Sequence, residues 1–498
     1  MFYLRTTKTA SGATAVQVVR YDYRKRIVVK HIGSAHTPED LLSLKQTARN
    51  WIEEETHQQR LFPEETKPSL TQIEKCVYLD TRYSFIYEIL SLFLRLLQFD
   101  TFHNQLLLDL VIMRIIQPVS KLESLEYLSE MFGIVYKRGK LYQAIASFSV
   151  LKNTVEKKTV MFAKQNLSFD FSIVFYDVTT LYFESFKEED DESIQKPGFS
   201  KDNKPNQPQI VIGLIVTKEG FPVSYDVFAG NTFEGKTFVP TIHKFKATYA
   251  VKNITVVADA AMISLENVRL LIKENLSYIV GARVANLKLD QMTQIKKELE
   301  DVDGRSMRIE TERGLLVCDF SFKRYQKDKR EMEKQIAKAE KLLEKRKGLK
   351  RTKFLMSKDK KKTEQVLNTD LVEKTKLLLG VKGYYTNLTE ETNTIIIDHY
   401  HNLWHVEKAF RIAKSDLAMR PIYHFKKQTI QAHVLICFMA LAVCKYMELK
   451  AGKSIKRIIK LLKSITEARM KNLLTGKIFV MRKEVSEEIK QLWKTLLL

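Results

Sequence analysis

Two short runs decide the fold: IVFYD, Ile173 to Asp177, and ITVVAD, Ile254 to Asp259. Each is a bounded apolar stretch rich in β-branched and aromatic residues. That pattern predicts a buried strand, and each run ends in an acid. Between them, Gln209 to Val216 and Phe221 to Phe228 are two more strand-like runs, joined by the turn Lys218-Glu219-Gly220. Helical texture follows from Lys236 to Tyr249, then a helix from Ser264 to Asn275 and a strand from Tyr278 to Val280. Three strands followed by helix, strand, helix and strand predict an α/β fold around a mixed sheet.

Upstream, Ala15 to Arg20 and Ile27 to Ile32 predict a β-hairpin across the polar Tyr21-to-Arg26 stretch. Thr37-Pro38-Glu39-Asp40 predicts a helix start. Thr suits the N-cap, Pro the first helical position, and the acids the positive helix end. From about 84 to 165 the pattern is helical, and Ser120-x-x-Glu123 after Pro118 is a capping-box signature. A helix ending near Gln117 and another starting at Lys121 allow either a helix-turn-helix DNA reader or an ordinary helical hairpin. Downstream, residues 323–362 hold 18 Lys/Arg and 6 Asp/Glu. Met332, Ile336, Ala339 and Leu343 fall there at heptad-like spacing, so a basic helical arm is expected. Lys358 to Lys362 reads as a loop, and so does the acidic run Glu188 to Glu192. Beyond 445, Ile455, Ile458, Ile459 and Leu462 predict basic amphipathic helix.

The composition narrows the classes. Of 498 residues, 45% are hydrophobic, with 17 Gly and 10 Pro, which excludes a collagen-like or largely disordered chain. Four scattered cysteines make no disulfide framework, and the histidines show no zinc spacing. The first residues, MFYLRTTKTASG, lack the apolar core of a signal peptide. Val434 to Cys444 is shorter than the ~20 residues a membrane span needs and reads as a buried helix. A net charge of +23 favours a polyanionic partner, nucleic acid or an anionic lipid surface.

The segment with most chemistry is YHNLWHVEKAFRIAKSDL, Tyr400 to Leu417. Wound as one helix, it puts Leu403, Val406, Phe410, Ala413 and Leu417 on an apolar stripe. Tyr400, Trp404, Glu407, Arg411 and Lys414 then share a second face, within roughly 80° of one another. Alone, such a face is an ordinary solvated one. Asp177 and Asp259 at strand ends change its meaning, because α/β sites form at the rim of the sheet. Three carboxylates converging from rigid elements repel one another unless a cation neutralises them. An all-oxygen set suits Mg²⁺ or Mn²⁺, and a pair of such ions suits phosphodiester displacement. Thr179, Thr180, Asn231 and Glu234 are further candidates near these acids, each with a structural explanation as well.

These blocks resemble the DDE transposases of bacterial insertion sequences, in the group whose final helix carries Y-x2-R-x3-E-x6-K. Tyr400, Glu407 and Lys414 match, while Leu403 stands at the Arg position. YDVTTLYFES (Tyr176 to Ser185) and VVADAAMISLENV (Val256 to Val268) resemble the first- and second-Asp blocks. GFSKDNKPNQPQIVIGLIVTKEGFPVSYDVFAGNTFEGKT (Gly198 to Thr237), between them, and KAFRIAKSDLAMRPIYH (Lys408 to His424) also resemble this family. The resemblance implies an RNase H-like mixed-sheet catalytic core with an inserted subdomain, preceded by a mainly helical N-terminal DNA-binding region. The expected segments are 1–50 (hairpin and helix start), 51–169 (helical DNA-binding region), 170–282 (first part of the core), 283–397 (insertion with the basic arm), 398–445 (final core helices) and 446–498 (basic C-terminal helices). It implies Asp177, Asp259 and Glu407 as catalytic residues holding two divalent cations, Mg²⁺ or Mn²⁺. It implies DNA contacts by Tyr400 and Lys414, with Arg411 or Arg420 standing in for the missing Arg by position. The expected function is binding, cleavage and joining of insertion-sequence ends by a cytoplasmic, nucleoid-associated homodimer. Inverted terminal repeats and target DNA are its expected partners, and a membrane is not. A nuclease that cuts without joining and a non-catalytic DNA-binding derivative are the alternatives.

Overall fold

The computed structural model of this chain describes residues 2–23, 25–56, 75–184, 193–202, 204, 206–262, 264–344, 352–357, 365–473 and 475–497. The runs Glu188 to Glu192 and Lys358 to Lys362 lie outside the described residues. The chain divides into two compact units. One comprises Met1–Leu90, Leu125–Tyr136 and Arg457–Leu498, the other Ser91–Ser124 and Lys137–Lys456.

The larger unit is built on an eight-stranded mixed sheet. Its strands are β1 (Ile173–Tyr182), β2 (Gln209–Val216), β3 (Pro222–Ala229), β4 (Thr255–Ala258), β5 (Ser277–Ala282), β6 (Ser306–Thr311), β7 (Gly314–Phe320) and β8 (Val381–Thr386). They lie in the order β6-β7-β8-β5-β4-β1-β2-β3. The run β1-β2-β3 is an antiparallel meander, and β4 and β5 continue it in parallel. Every residue of β2 is buried, as expected of a strand covered on both faces. This mixed sheet is consistent with an RNase H-like core. Helices α1 (Glu234–Thr248) and α2 (Leu265–Lys273) follow β3 and β4, the second capped by Ser264, whose Oγ accepts from the N–H of Asn267 at 3.1 Å.

The sheet departs from the sequence expectation in two places. Asp177 does not end its strand: β1 runs on through Val178-Thr179-Thr180 to Tyr182, because these residues pair with β2 up to Gln209. Segment 283–397 is also not a body apart from the core. Its strands β6, β7 and β8 extend the same sheet past β5, and β8 covers what would otherwise be an open edge. The basic helix α3 (Phe322–Glu344) folds back on its own neighbours. Its seam residues Met332 and Ala339 are buried against Phe354, Val372 and Leu379, with Ile336 packed alongside.

The sheet is followed by α4 (Asn393–His401), α5 (Trp404–Arg411), a five-residue π-helical turn (Ile412–Asp416) and α6 (Lys427–Ala451). α6 is longer than the apolar run inside it. By length and composition it could cross a membrane, yet 94% of its most apolar window is buried within the protein. It packs against the buried helix Gln105–Ile116.

The smaller unit contains more β-structure than expected. An antiparallel three-stranded sheet, Phe2–Lys8, Thr14–Asp22 and Lys25–Ala35, packs Val16, Val18 and Ile32 against Leu44 and Ala48 of helix Pro38–Thr56. Asp40 N–H donates to Thr37 Oγ1 at 3.2 Å, as the N-cap reading requires. A second sheet joins Cys76–Arg82, Glu467–Asn472 and Ile478–Arg482. The segments 51–169 and 446–498 are therefore not helical throughout. The turn between helices Gln105–Ile116 and Lys121–Phe132 is short, but the exposed positions of the second helix are Glu123, Glu126 and Glu130. On the second helix this exposed acidic face repels phosphate and does not favour a DNA-reading role.

Candidate active site

Strand register brings the first two acids together. β1 and β4 pair in parallel from Ile173↔Thr255 to Tyr176↔Ala258, so Asp177, which continues β1, and Asp259, just past the end of β4, come close enough for the charge of Asp259 to act on Asp177. Alternation then separates Tyr176 from Asp177. The Tyr176 side chain is fully buried, stacks near Phe238 and donates its hydroxyl to Thr237 at 2.8 Å. Asp177 points to the other face, where 16% of its side chain stays exposed, and α5 packs across β1 and β2.

The expected single helix is broken. Residues 402 and 403 interrupt it, leaving Tyr400 on α4 and Glu407 on α5, and the π turn displaces Lys414 further. π turns recur at functional sites. The apolar stripe survives the break: Leu403 is 5% exposed, and Val406, Phe410, Ala413 and Leu417 are buried with it. Leu403 therefore belongs to the core and supplies no DNA contact. Tyr400 turns inward because Gly281, one position past Val280 on β5, leaves room for it; a Cβ there would collide with its hydroxyl. That hydroxyl donates to Asp259 Oδ1 at a long 3.5 Å.

Glu407 is exposed on α5. It and Asp259 act on the same two neighbours, Lys382 and Tyr400. Burial lowers the pKa of Lys382, with Arg324 adding to the effect, while Asp319, Asp259 and Glu407 oppose it. Its ammonium lies 4.4 Å from the centre of the Tyr400 ring. Burial likewise raises the Tyr400 hydroxyl, and the negative charge of Asp259 adds to it. At Asp177, burial pushes the carboxyl up to about 6; Lys201 opposes this, and the negative neighbours Asp259 and Glu234 reinforce it. The acids thus share neighbours at one corner of the sheet. They are not closed around one point, since among the described residues no three carboxylate, imidazole or thiol groups are placed to hold an ion together.

Two residues beside these acids were not singled out from the sequence. Lys201 Nζ stands 3.1 Å from Glu234 Oε1 and 3.9 Å from Asp177 Oδ1. Asp202 Oδ1 accepts from Lys414 Nζ at 3.2 Å, and Asp202 Oδ2 lies 2.6 Å from Arg420 Nη1. Lys414 and Arg420, both expected at DNA, are thus held by a carboxylate, and burial lowers the pKa of Lys414. Arg411 is exposed. Thr180 Oγ1 accepts from the N–H of Lys201 at 3.1 Å, a structural use of that threonine. Glu234, at the start of α1, pairs with Lys201 at 3.1 Å, and Glu184 is exposed. In the sequence, Lys201 and Asp202 lie inside the GFSKDNKPN stretch, with no periodic signal of their own.

The family model for the transposase DDE domain matches residues 168–443, more than half of the chain. The chain belongs to the DDE transposase domain family. This transposase domain includes the whole eight-stranded sheet, Asp177, Asp259 and Glu407. A piggyBac transposase synaptic complex with hairpin DNA is similar over 83% of this chain and 75% of that chain, at 11% identity and a TM-score of 0.36. A Mos1 transposase paired-end complex with the left transposon end is similar over 47% and 66%, at 16% identity and a TM-score of 0.16. No curated protein matches the chain.

Proposed function

We propose that this transposase-family protein binds the ends of its own insertion sequence, cleaves them and joins the freed 3′-hydroxyl ends to target DNA. The observation that carries the reading is the register that sets Asp177 beside Asp259, with Glu407 acting on the same Lys382 and Tyr400. The donor set fits hard divalent cations. It is all carboxylate, and burial, reinforced by the negative neighbours Asp259 and Glu234, pushes the Asp177 carboxyl up to about 6 against the opposing Lys201.

Asp177, Asp259 and Glu407 would hold two Mg²⁺ or Mn²⁺ ions, which supply charge stabilisation to the attacking and leaving oxygens of phosphodiester displacement. The chain's own residues do the positioning. The Tyr400 hydroxyl donates to Asp259 and orients that carboxylate. Lys414 and Arg420, fixed by Asp202, would grip a scissile phosphate from the cationic side of the site, and exposed Arg411 is a further candidate DNA contact. Lys204 and Arg420 both lie over the Tyr182 ring and extend that basic surface. The protein acts in the cytoplasm as a dimer on paired double-stranded ends.

The test uses DNA carrying the inverted repeats that flank the gene, supplied both intact and pre-cleaved, with a target plasmid and Mg²⁺. The expected products are cut ends from intact DNA and covalently joined ends from pre-cleaved DNA. Cutting with no joining would make the protein a nuclease. Binding with neither product would make it a DNA-binding derivative.

A further inference from the structure

We propose that Lys201 is a positioning residue of the acid cluster: its ammonium holds the place of one divalent cation at Asp177 and gives way when that ion binds. The inference rests on the metal-site reading above. Lys201 Nζ has three oxygen neighbours. It donates to the Val178 carbonyl at 2.6 Å, and it lies 3.1 Å from Glu234 Oε1 and 3.9 Å from Asp177 Oδ1. One carbonyl and two carboxylates around a single positive charge are the ligand types that a hard divalent cation takes. An ammonium there and an ion held by Asp177 compete for the same negative charge.

The backbone around Lys201 is anchored on both sides. Its N–H is tied to Thr180 Oγ1 at 3.1 Å. Upstream, Gly198 and Gly230 pack backbone to backbone; a Cβ on Gly198 would strike the Gly230 carbonyl, and one on Gly230 would strike those of Gln209 and Lys196. Downstream, Asp202 is 9% exposed and clamped by Lys414 and Arg420. The Lys201 side chain itself is 31% exposed, so its flexible stem can swing to solvent while both anchors stay in place. Consecutive residues of opposite charge therefore serve opposite halves of the site, Lys201 the acids and Asp202 the cations. A lysine serving only the fold would make the same contacts, but it would not oppose metal binding. A place-holder must.

The test is Mn²⁺ binding to the metal-free full-length protein, followed by electron paramagnetic resonance of the free ion. Wild type is compared with Lys201→Met, Lys201→Gln, Lys201→Arg and Asp177→Asn. Both neutral variants should bind Mn²⁺ about tenfold more tightly, since an adjacent opposite charge shifts a carboxylate's proton affinity by roughly one pKa unit or more. Lys201→Arg keeps the charge and should stay near wild type. Asp177→Asn should lose the tightest site. If the neutral variants bind Mn²⁺ no more tightly while Asp177→Asn still loses the site, the place-holder role is overturned and the metal site stands. If Asp177→Asn binds as wild type does, the metal-site reading itself fails and the inference falls with it.

Discussion

Asp177→Ala, Asp259→Ala and Glu407→Ala are each expected to abolish cleavage and joining together. The loss should reach at least about 1000-fold, well beyond the roughly 10–100-fold that follows loss of a hydrogen-bonding partner behind a metal ligand. The reason is shared use: both reactions displace an oxygen at phosphorus and draw on the same carboxylates. End binding should survive, because phosphate-contacting cations supply most of the affinity and none of the three acids is a cation. Gel-shift and cleavage assays on the same preparations separate the two effects. A variant that lost cutting but kept joining would split the site into two.

DNA affinity should fall by at least tenfold between about 50 and 200 mM salt, because lysine and arginine contacts release condensed counterions. The net charge of +23 and the basic surface of Lys204, Arg411 and Arg420 motivate this. Charge alone would predict that removing Asp202 tightens binding. With Lys414 and Arg420 held in place by that carboxylate, charge and positioning oppose each other there, so Asp202 variants are a poor gauge of the electrostatic term. The slope of affinity against salt in the wild-type protein is the clean reading. A flat response across that range would remove the polyanion argument.

The core strands were legible because their physics is local. IVFYD, ITVVAD and the run Gln209 to Val216 are bounded apolar stretches, and all three are strands of one sheet. The Leu403–Val406–Phe410 stripe was legible for the same reason, and it is buried. What failed depended on partners distant in the chain. Nothing near Asp177 shows that β1 continues, since the register that carries it to Tyr182 belongs to β2. The strand Glu467–Asn472 reads EARMKN, too charged for an apolar alternation to show, and it forms by pairing with Cys76–Arg82 almost four hundred residues earlier. The break before Trp404 was invisible because the apolar spacing stays helical across it. Lys201, Asp202 and Lys382 sit on a loop and a strand with no periodic signal. Their roles follow from where the sheet places Asp177, Glu234 and Tyr400, which a linear reading does not give.

The membership of the chain in the DDE transposase domain family and the register of Asp177 and Asp259 support the central proposal, that Asp177, Asp259 and Glu407 together bind metal. The most direct measurement is anomalous diffraction from crystals of the protein grown with Mn²⁺ and end DNA. The expected result is manganese held by Asp177, Asp259 and Glu407, with Lys201 withdrawn from Asp177. Manganese bound elsewhere, or bound with Glu407 still pointing away to solvent, would contradict it.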